Sequence, residues 1–310
     1  MKTWQSIQQV LDYIEANLDQ SLPITELAAI AYLSPFYFQR LFKKLVGRPV
    51  MEYVKLRRLA KSCQLLATTD QRIIEIALTV GFNSHAYYTK AFKSAYGMTP
   101  DEYRLNQPAL HQMLKPDLTM KQTVIAENDS FIAENMVVTI TRRQLTKPEY
   151  YQGVVGKMLI ANNIPVGGAT GMNQADGIWT EFHKLKKQRP ELFTEDIQLG
   201  ASFLKDPSVD PTSLAPTESF DYFAGGRVET LDEHLETWII PPGEYIVCGC
   251  EAENTPEARN IAIAKALGYL LGTWLPSQQL VTEPYSLEKY FPAKNPNTVY
   301  QEIWVAPLQI

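Results

Sequence analysis

"SPFYFQRLFKKLVG", residues 34–47, and "SHAYYTKAFKSAYG", residues 84–97, are two versions of one pattern set 50 residues apart. In the first, Ser34 followed by Pro35 reads as a helix cap and its first-turn residue. Phe38, Leu41, Phe42 and Leu45 then recur at helical spacing, and Gly47 reads as the stop. Ser34 matches Ser84, Tyr37 Tyr87, Phe42 Phe92, Lys43 Lys93, Gly47 Gly97, Glu52 Glu102 and Tyr53 Tyr103. A shorter helix precedes each copy. One follows Pro23, with Thr25 as its expected N-cap, Leu27, Ala28 and Ala31 facing inward, and the turn "YLS". The other is "IIEIALTV" with the turn "GFNS", one residue longer. Short helix, tight turn and capped second helix make a helix-turn-helix, so the spacing predicts two such units in one chain.

A long helix over Val50–Leu66 separates the copies, with Lys55, Arg57, Arg58 and Lys61 expected on its wetter side. Ile7, Val10, Leu11, Ile14 and Leu18 predict an amphipathic helix ahead of them, and "TPDE", residues 99–102, is a capping box for a short helix after them. Two helix-turn-helix units on one polypeptide can enter successive major grooves about 34 Å apart, a geometry that otherwise takes a dimer.

Composition sets the frame. At 310 residues with 45% hydrophobic side chains, the chain has enough apolar material for two cores. No stretch approaches the roughly 20 apolar residues of a bilayer span, and the opening residues read as amphipathic helix, which leads to the expectation of a soluble, cytoplasmic protein. Three cysteines, Cys63, Cys248 and Cys250, suit a reducing compartment and read as small apolar filler. His85, His111, His183 and His234 lie far apart without ligand-like spacing, so neither a metal nor a cofactor is expected. Charge is unevenly shared. Residues 1–107 hold 13 Lys/Arg against 9 Asp/Glu, a formal +4, and the rest hold 16 against 25, a formal −9. The boundary falls in residues 108–129, a proline-containing stretch of weak periodicity read as a linker.

Residues 130–310 have a different grammar. "FIAENMVVTITRR" and "YYQGVVG" read as strands, "GIWTEFHKLKKQ" as a helix, and "IQLGASFLKD" and "FDYFAGGRVE" as strands. The order then recurs: strands around a Pro-Pro-Gly turn in "HLETWIIPPGEYIVCGCE", the helix "ARNIAIAKALGYLLGTWL", and the strands "YSLEKYFPA" and "TVYQEIWVAPL". The fold expected is therefore multidomain: an all-α double helix-turn-helix, then an α+β domain with duplicated strand-helix-strand-strand units. A cleft on the axis relating the duplicates is the natural ligand site. "GGATG", residues 167–171, lacks the lysine of a phosphate loop and reads as a turn.

The run from Ile24 to Arg104, with "ITELAAIAYLSPFYFQRLFKK" and "IIEIALTVGFNSHAYYTKAFKSAYGMTPDEYR", resembles the DNA-binding domain of the AraC/XylS transcription regulators. Tyr88 stands where that family usually has phenylalanine. The resemblance implies double-stranded DNA and RNA polymerase as partners. With the buried stripe removed, the outer face of the first recognition helix carries Phe36, Gln39, Arg40 and Lys43, and that of the second His85, Ala86, Thr89 and Lys90. Gln pairs bidentately with adenine and Arg with guanine, whereas Ala86 offers only contact with a thymine methyl.

"PPGEYIVCGCE" and "EKYFPAKNPNTVYQEIWVAPL" resemble the GyrI-like effector-binding domains of multidrug-responsive regulators, and the joined halves resemble the Rob-like branch. That resemblance implies a strand glutamate neutralising a lipophilic cation between aromatic rings. The matching residue is Glu302, with Glu288 second. Tyr300 and Trp304 alternate onto the face of Glu302, and Trp179, Tyr222, Tyr269, Trp274 and Tyr290 are candidate walls. The expected function is a ligand-responsive transcription regulator and not an enzyme. The alternatives are a GyrI-like hydrolase using a glutamate and a tyrosine, and a drug scavenger, which leaves the DNA-reading half without a role.

Overall fold

The structure, a computed structural model, describes residues 3–159, 170–193, 195–204, 215 and 218–308. The chain divides into two compact units. One runs through Thr119 and takes in the stretch ending at Asn173; the other is made of the remainder from Met120 onward.

The first unit is built on α1 (Thr3–Ala16), α2 (Ile24–Ile30), α3 (Pro35–Val46), α4 (Val50–Thr68), α5 (Ile73–Thr79), α6 (His85–Tyr96) and α7 (Pro100–Asn106). The duplicated caps form as the spacing requires. Tyr37 N–H donates to Ser34 Oγ at 3.4 Å, Tyr87 N–H donates to Ser84 Oγ at 3.3 Å, and Gly47 and Gly97 close α3 and α6 at φ 85° and 78°. Thr99 and Glu102 form the capping box of α7. Thr25 is not a cap. Pro23 holds that position in extended conformation, so α2 starts at Ile24 without a side-chain acceptor.

Phe38 and Phe42 are fully buried, each contributing about 1.5–3 kcal/mol, and the Phe42 ring meets Tyr53 of α4 edge-on at 5.7 Å. Around the second copy, Tyr88, Phe92, Tyr96 and Tyr103 form a similar chain of rings. Tyr88 carries its extra oxygen into the core at no loss, because the hydroxyl donates to Ser62 Oγ at 3.0 Å. Arg57 and Arg58 do not sit on a wet face as expected. Arg57 grips Glu15 through two bonds of 2.9 Å, and Arg58 donates to the carbonyls of Leu18 (2.7 Å), Gln20 (2.6 Å) and Gly81 (2.8 Å). The helix expected as a plain spacer thus ties the chain after α1 to the turn of the second helix-turn-helix. The segment 108–129 carries β1 (Leu110–His111) and α8 (Leu118–Gln122), and the division between units falls inside it. β1 pairs with β5 (Gly171–Met172), so the "GGATG" stretch ends in a strand, while its residues 167–169 lie outside the described residues.

The second unit is a nine-stranded antiparallel sheet. Its strands are β2 (Ser130–Ala133), β3 (Met136–Leu145), β4 (Glu149–Leu159), β6 (Gln198–Phe203), β7 (Ser219–Arg227), β8 (Glu236–Ile240), β9 (Gly243–Glu253), β10 (Tyr285–Tyr290) and β11 (Thr298–Val305). They lie in the order β2-β3-β9-β11-β10-β6-β7-β4-β8. "FIAENMVVTITRR", expected as one strand, is the β2–β3 hairpin, because Glu134 turns the chain in the left-handed region at φ 49°. α9 (Gln174–Gln188) packs on β4 and β7, and α10 (Pro256–Tyr269), continued by a π-helical turn at Leu270–Trp274, packs on β9 and β11. The runs β4-α9-β6-β7 and β9-α10-β10-β11 therefore enter the sheet in mirrored order about the β6–β10 pairing. The Pro-Pro-Gly stretch does not close a hairpin as expected. β8 pairs with β4 and β9 with β3 and β11, so the strand that precedes each run, β3 or β8, pairs with the first strand of the other run.

Candidate DNA interface and ligand cage

On α3, Phe36, Gln39, Arg40 and Lys43 are all exposed on one side, opposite the buried Phe38, Phe42 and Val46. The Arg40 guanidinium lies 5.9 Å from the centre of the Phe36 ring, and Gln39 donates to the Pro35 carbonyl at 3.3 Å. On α6, His85, Ala86 and Lys90 are exposed as expected. Thr89 is half-buried, with its hydroxyl oxygen covered and without a partner among the described residues. The two helices thus present different surfaces, the first with the long side chains of Gln39, Arg40 and Lys43 exposed, the second with the small Ala86 among His85 and Lys90.

In the second unit the expected ligand residues fall into three separate places. Glu302 lies buried on the sheet face away from the helices, and it already holds a cation. Arg143 donates to its two oxygens at 2.9 and 3.0 Å, Tyr300 O–H donates at 2.9 Å and Trp304 N–H at 2.7 Å. Arg143 also lies over the Trp304 ring at 5.0 Å, and Lys289 Nζ lies 3.6 Å from the centre of that ring while donating to Glu149 at 2.6 Å. Burial pushes the Lys289 ammonium down, and Glu149 only partly offsets this. Glu302 is therefore a member of a paired structural network and not the free carboxylate expected. Trp274 and Tyr269 belong to the core under α10, where the Trp274 N–H donates to the Ile125 carbonyl at 2.9 Å and Tyr269 Oη accepts from Ile125 N–H at 3.4 Å. They line no site with the glutamates.

Glu288, Tyr290, Tyr222 and Trp179 do come together. Strand alternation sends Glu288 and Tyr290 to the helix-bearing face, where Trp179 of α9 covers them. Tyr222 and Tyr290 O–H both donate to Glu288 Oε2, at 3.0 and 2.7 Å, and the Trp179 N–H donates to the Tyr222 oxygen at 3.2 Å. The rings of Trp179 and Tyr290 meet edge to face at 5.2 Å. Protein surrounds the carboxyl group, although the residue as a whole is only half-buried. Burial raises the Glu288 carboxyl above its ordinary range, with the two tyrosine hydroxyls working against the rise. Burial, reinforced by the nearby Glu288, holds both tyrosines well above theirs. No Lys or Arg pairs with Glu288 among the described residues. Opposite it, across the β6–β10 pairing at the centre of the mirrored sheet, is Gly200. A Cβ there would lie 2.2 Å from the Tyr222 hydroxyl, so glycine is what lets that hydroxyl reach the glutamate.

Gln301 adds an acceptor that the sequence did not single out. It pairs across the strands with Tyr290, is buried, and its side-chain oxygen has no partner among the described residues. Arg143, Lys289 and Gly200 were also missed. Arg143 follows Thr139 and Thr141 at strand period 2, and that placement of a charge in a strand was the available signal for it. Among the described residues no helix is long and apolar enough to cross a membrane, and no group of three His, Cys, Asp or Glu side chains is placed to hold a metal. The three cysteines are free and buried, and burial pushes the Cys63 and Cys250 thiols up to about 12.

Residues 27–106 match a helix-turn-helix domain family. The chain is 33% identical over 294 residues to the transcriptional regulator Rob of Salmonella typhimurium strain LT2, covering 94% of this chain and 92% of that one. It is 44% identical over 101 residues to the transposon Tn10 TetD protein of Escherichia coli, covering 33% of this chain and 73% of that one. It is 38% identical over 100 residues to YbfP of Bacillus subtilis strain 168, an uncharacterised HTH-type transcriptional regulator. That match takes 32% of this chain and spans 34% of the relative's length. The Rob match runs through both units, whereas the other two cover about a third of this chain.

Proposed function

The chain belongs to the AraC-type transcription regulators, in the branch of Rob, and on that footing we propose that it couples operator reading to a lipophilic cation held at Glu288. Residues 1–107 form the DNA-reading domain. α3 reads bases through Phe36, Gln39 and Arg40, with Lys43 on the backbone, and α6 reads less sharply through His85, Ala86 and Lys90. Residues 130–310 form a GyrI-like effector domain. The mirrored sheet order supports that class, because it joins two like halves at the β6–β10 pairing, on which Glu288 lies.

The single observation carrying the ligand reading is the contrast between the two glutamates. Glu302 has Arg143; Glu288 has two tyrosine hydroxyls, two aromatic walls and, among the described residues, no cation. A carboxylate kept from water without a counter-charge gains from a cationic guest, and the faces of Trp179 and Tyr290 add cation–π attraction of about 0.5–2 kcal/mol. Gln301 supplies an acceptor for a guest that also bears N–H groups. Working in the cytoplasm, where a bacterial regulator meets both DNA and RNA polymerase, the protein would report such a compound by a change in transcription.

The test is a thermal-shift titration of the full chain with a planar quaternary-ammonium dye and an uncharged analogue of the same ring system. The dye is expected to raise the melting temperature progressively with concentration, by mass action on the native state, and to outperform the analogue. Equal behaviour of the two would refute the charge reading. A mobility shift on a duplex selected from random-sequence DNA, with and without dye, reads the coupling.

A further inference from the structure

The two helix-turn-helix copies place different residue types at one shared left-handed backbone position. α2 ends with Leu33 N–H donating to the Ala28 carbonyl at 3.0 Å and Tyr32 N–H to Ala29 at 3.0 Å. α5 ends the same way, with Phe82 N–H donating to Ala77 at 2.8 Å and Gly81 N–H to Leu78 at 2.9 Å. This helix stop places one residue in the left-handed region, where glycine is at ease and a residue with a Cβ is strained. The position is Gly81 at φ 87° in the second copy and Tyr32 at φ 57° in the first.

At Gly81 glycine is also imposed by the neighbours. A Cβ there would lie 2.5 Å from the Leu18 carbonyl and 2.9 Å from the Arg58 guanidinium. Tyr32 answers to no such constraint. Its side chain is 83% exposed and makes no hydrogen bond or ring contact among the described residues. The fold therefore holds a bulky aromatic residue in a strained conformation and gets no internal contact from it. An observed outlier of this kind is a pointer to an external role.

Its position says what that role is. Tyr32 lies two residues before Ser34, the cap of α3, at the end of the helix that carries the exposed Phe36, Gln39 and Arg40. In a helix-turn-helix the N-terminal end of the second helix contacts bases in the major groove. The turn leading into that helix then lies beside the sugar-phosphate strand that borders the groove. Tyrosine hydroxyls are among the groups that donate to phosphate oxygens, fixing register without reading sequence.

We propose that Tyr32 is a DNA-backbone contact whose hydroxyl donates to a phosphate oxygen bordering the groove that α3 enters. The proposal rests on α3 being the reading helix of the first copy. It makes the two copies unequal, the first anchored at its turn and the second, with Gly81 there, lacking that anchor.

The test uses the full chain, a duplex that the parent protein has selected from random-sequence DNA, and a scrambled duplex of the same composition. Tyr32→Gly and Tyr32→Phe are each expected to weaken binding about tenfold, about 1.4 kcal/mol, by the same factor on both duplexes. The dependence on salt should keep its slope, since a neutral hydroxyl displaces no counterion. Tyr32→Gly should melt no lower than the parent, because it relieves the strain. Tyr32→Phe binding like the parent, a loss confined to the selected duplex, or a lower melting temperature for Tyr32→Gly would each overturn the proposal. Arg40→Ala separates the two levels. If it weakens binding and Tyr32→Gly does not, the tyrosine assignment alone fails; if neither matters, the reading of α3 fails with it.

Discussion

Glu288→Gln removes a charge while sparing the hydrogen bonds around it. Tyr222 and Tyr290 both donate to Oε2, at 3.0 and 2.7 Å, and an amide oxygen has the two lone pairs to accept both. What changes is ionisation. In the unliganded protein, burial raises the Glu288 carboxyl above its unfolded value, so the folded state binds the proton more tightly. Stability from this group is therefore fully present below the unfolded pKa, about 4.3, and is lost as pH rises from there through the folded value. Each unit of upward shift is worth about 1.4 kcal/mol, and the glutamine variant escapes that loss. It should melt above the parent at pH 8 and converge with it near pH 4.

Cation binding should move the other way. A unit charge at about 4 Å in a medium of effective dielectric about 20 is attracted by about 4 kcal/mol, an upper bound before hydration is exchanged. A net loss of about 1.4–2.8 kcal/mol, or tenfold to a hundredfold, is expected for a quaternary-ammonium dye, with no loss for its uncharged analogue. Calorimetric titration in two buffers of different ionisation enthalpy adds a second readout. The parent should release protons on binding, below its folded pKa, and the variant none. A Glu288→Gln protein that melts below the parent at pH 8, or that loses dye and analogue equally, would refute the reasoning.

Arg143→Ala strips the cation from Glu302, leaving a buried carboxylate with only its Tyr300 and Trp304 donors. Because the arginine is itself partly open to solvent, the expected cost is about 1–3 kcal/mol, below the range for fully buried pairs, read by thermal melting with dye affinity unchanged. Arg58→Met leaves the carbonyls of Leu18, Gln20 and Gly81 without their donor and should cost about 1–3 kcal/mol by chemical denaturation; an unchanged midpoint would show that water replaces the guanidinium freely. Arg40→Ala should cost about 1–3 kcal/mol on a selected duplex and relax preference at one base pair, whereas Lys43→Ala should lower the slope of affinity against salt by about one unit and leave base preference intact. Fluorescence anisotropy across a salt series distinguishes the two.

The helical half was legible because its determinants are local. Ser34 and Ser84 cap the helix that begins at the next residue, Gly47 and Gly97 stop it, and a 3.6-residue period names Phe38, Phe42, Tyr88 and Phe92 as core without knowledge of the rest of the chain. Arg57 and Arg58 were misplaced for the complementary reason. Their partners, Glu15, Leu18, Gln20 and Gly81, are 23 to 42 residues away, and a charge on a helix looks solvated until something distant arrives to accept from it.

In the sheet half, residue order established most of the strand segments and which side chains share a face, since alternation is a property of the backbone alone, but it ran β2 and β3 together where Glu134 turns the chain. It established the Tyr300, Glu302, Trp304 stripe and the set of acidic and aromatic residues from which a site has to be drawn. Which glutamate stands free was a matter of long-range pairing. Arg143 reaches Glu302 across 159 residues because β3, β9 and β11 are neighbours, an adjacency that the order of segments along the chain does not express. Lys289 follows Glu288 directly and looks like its counter-charge. The pleat sends it through to the opposite face, where it serves Glu149 and Trp304 and leaves Glu288 to its tyrosines.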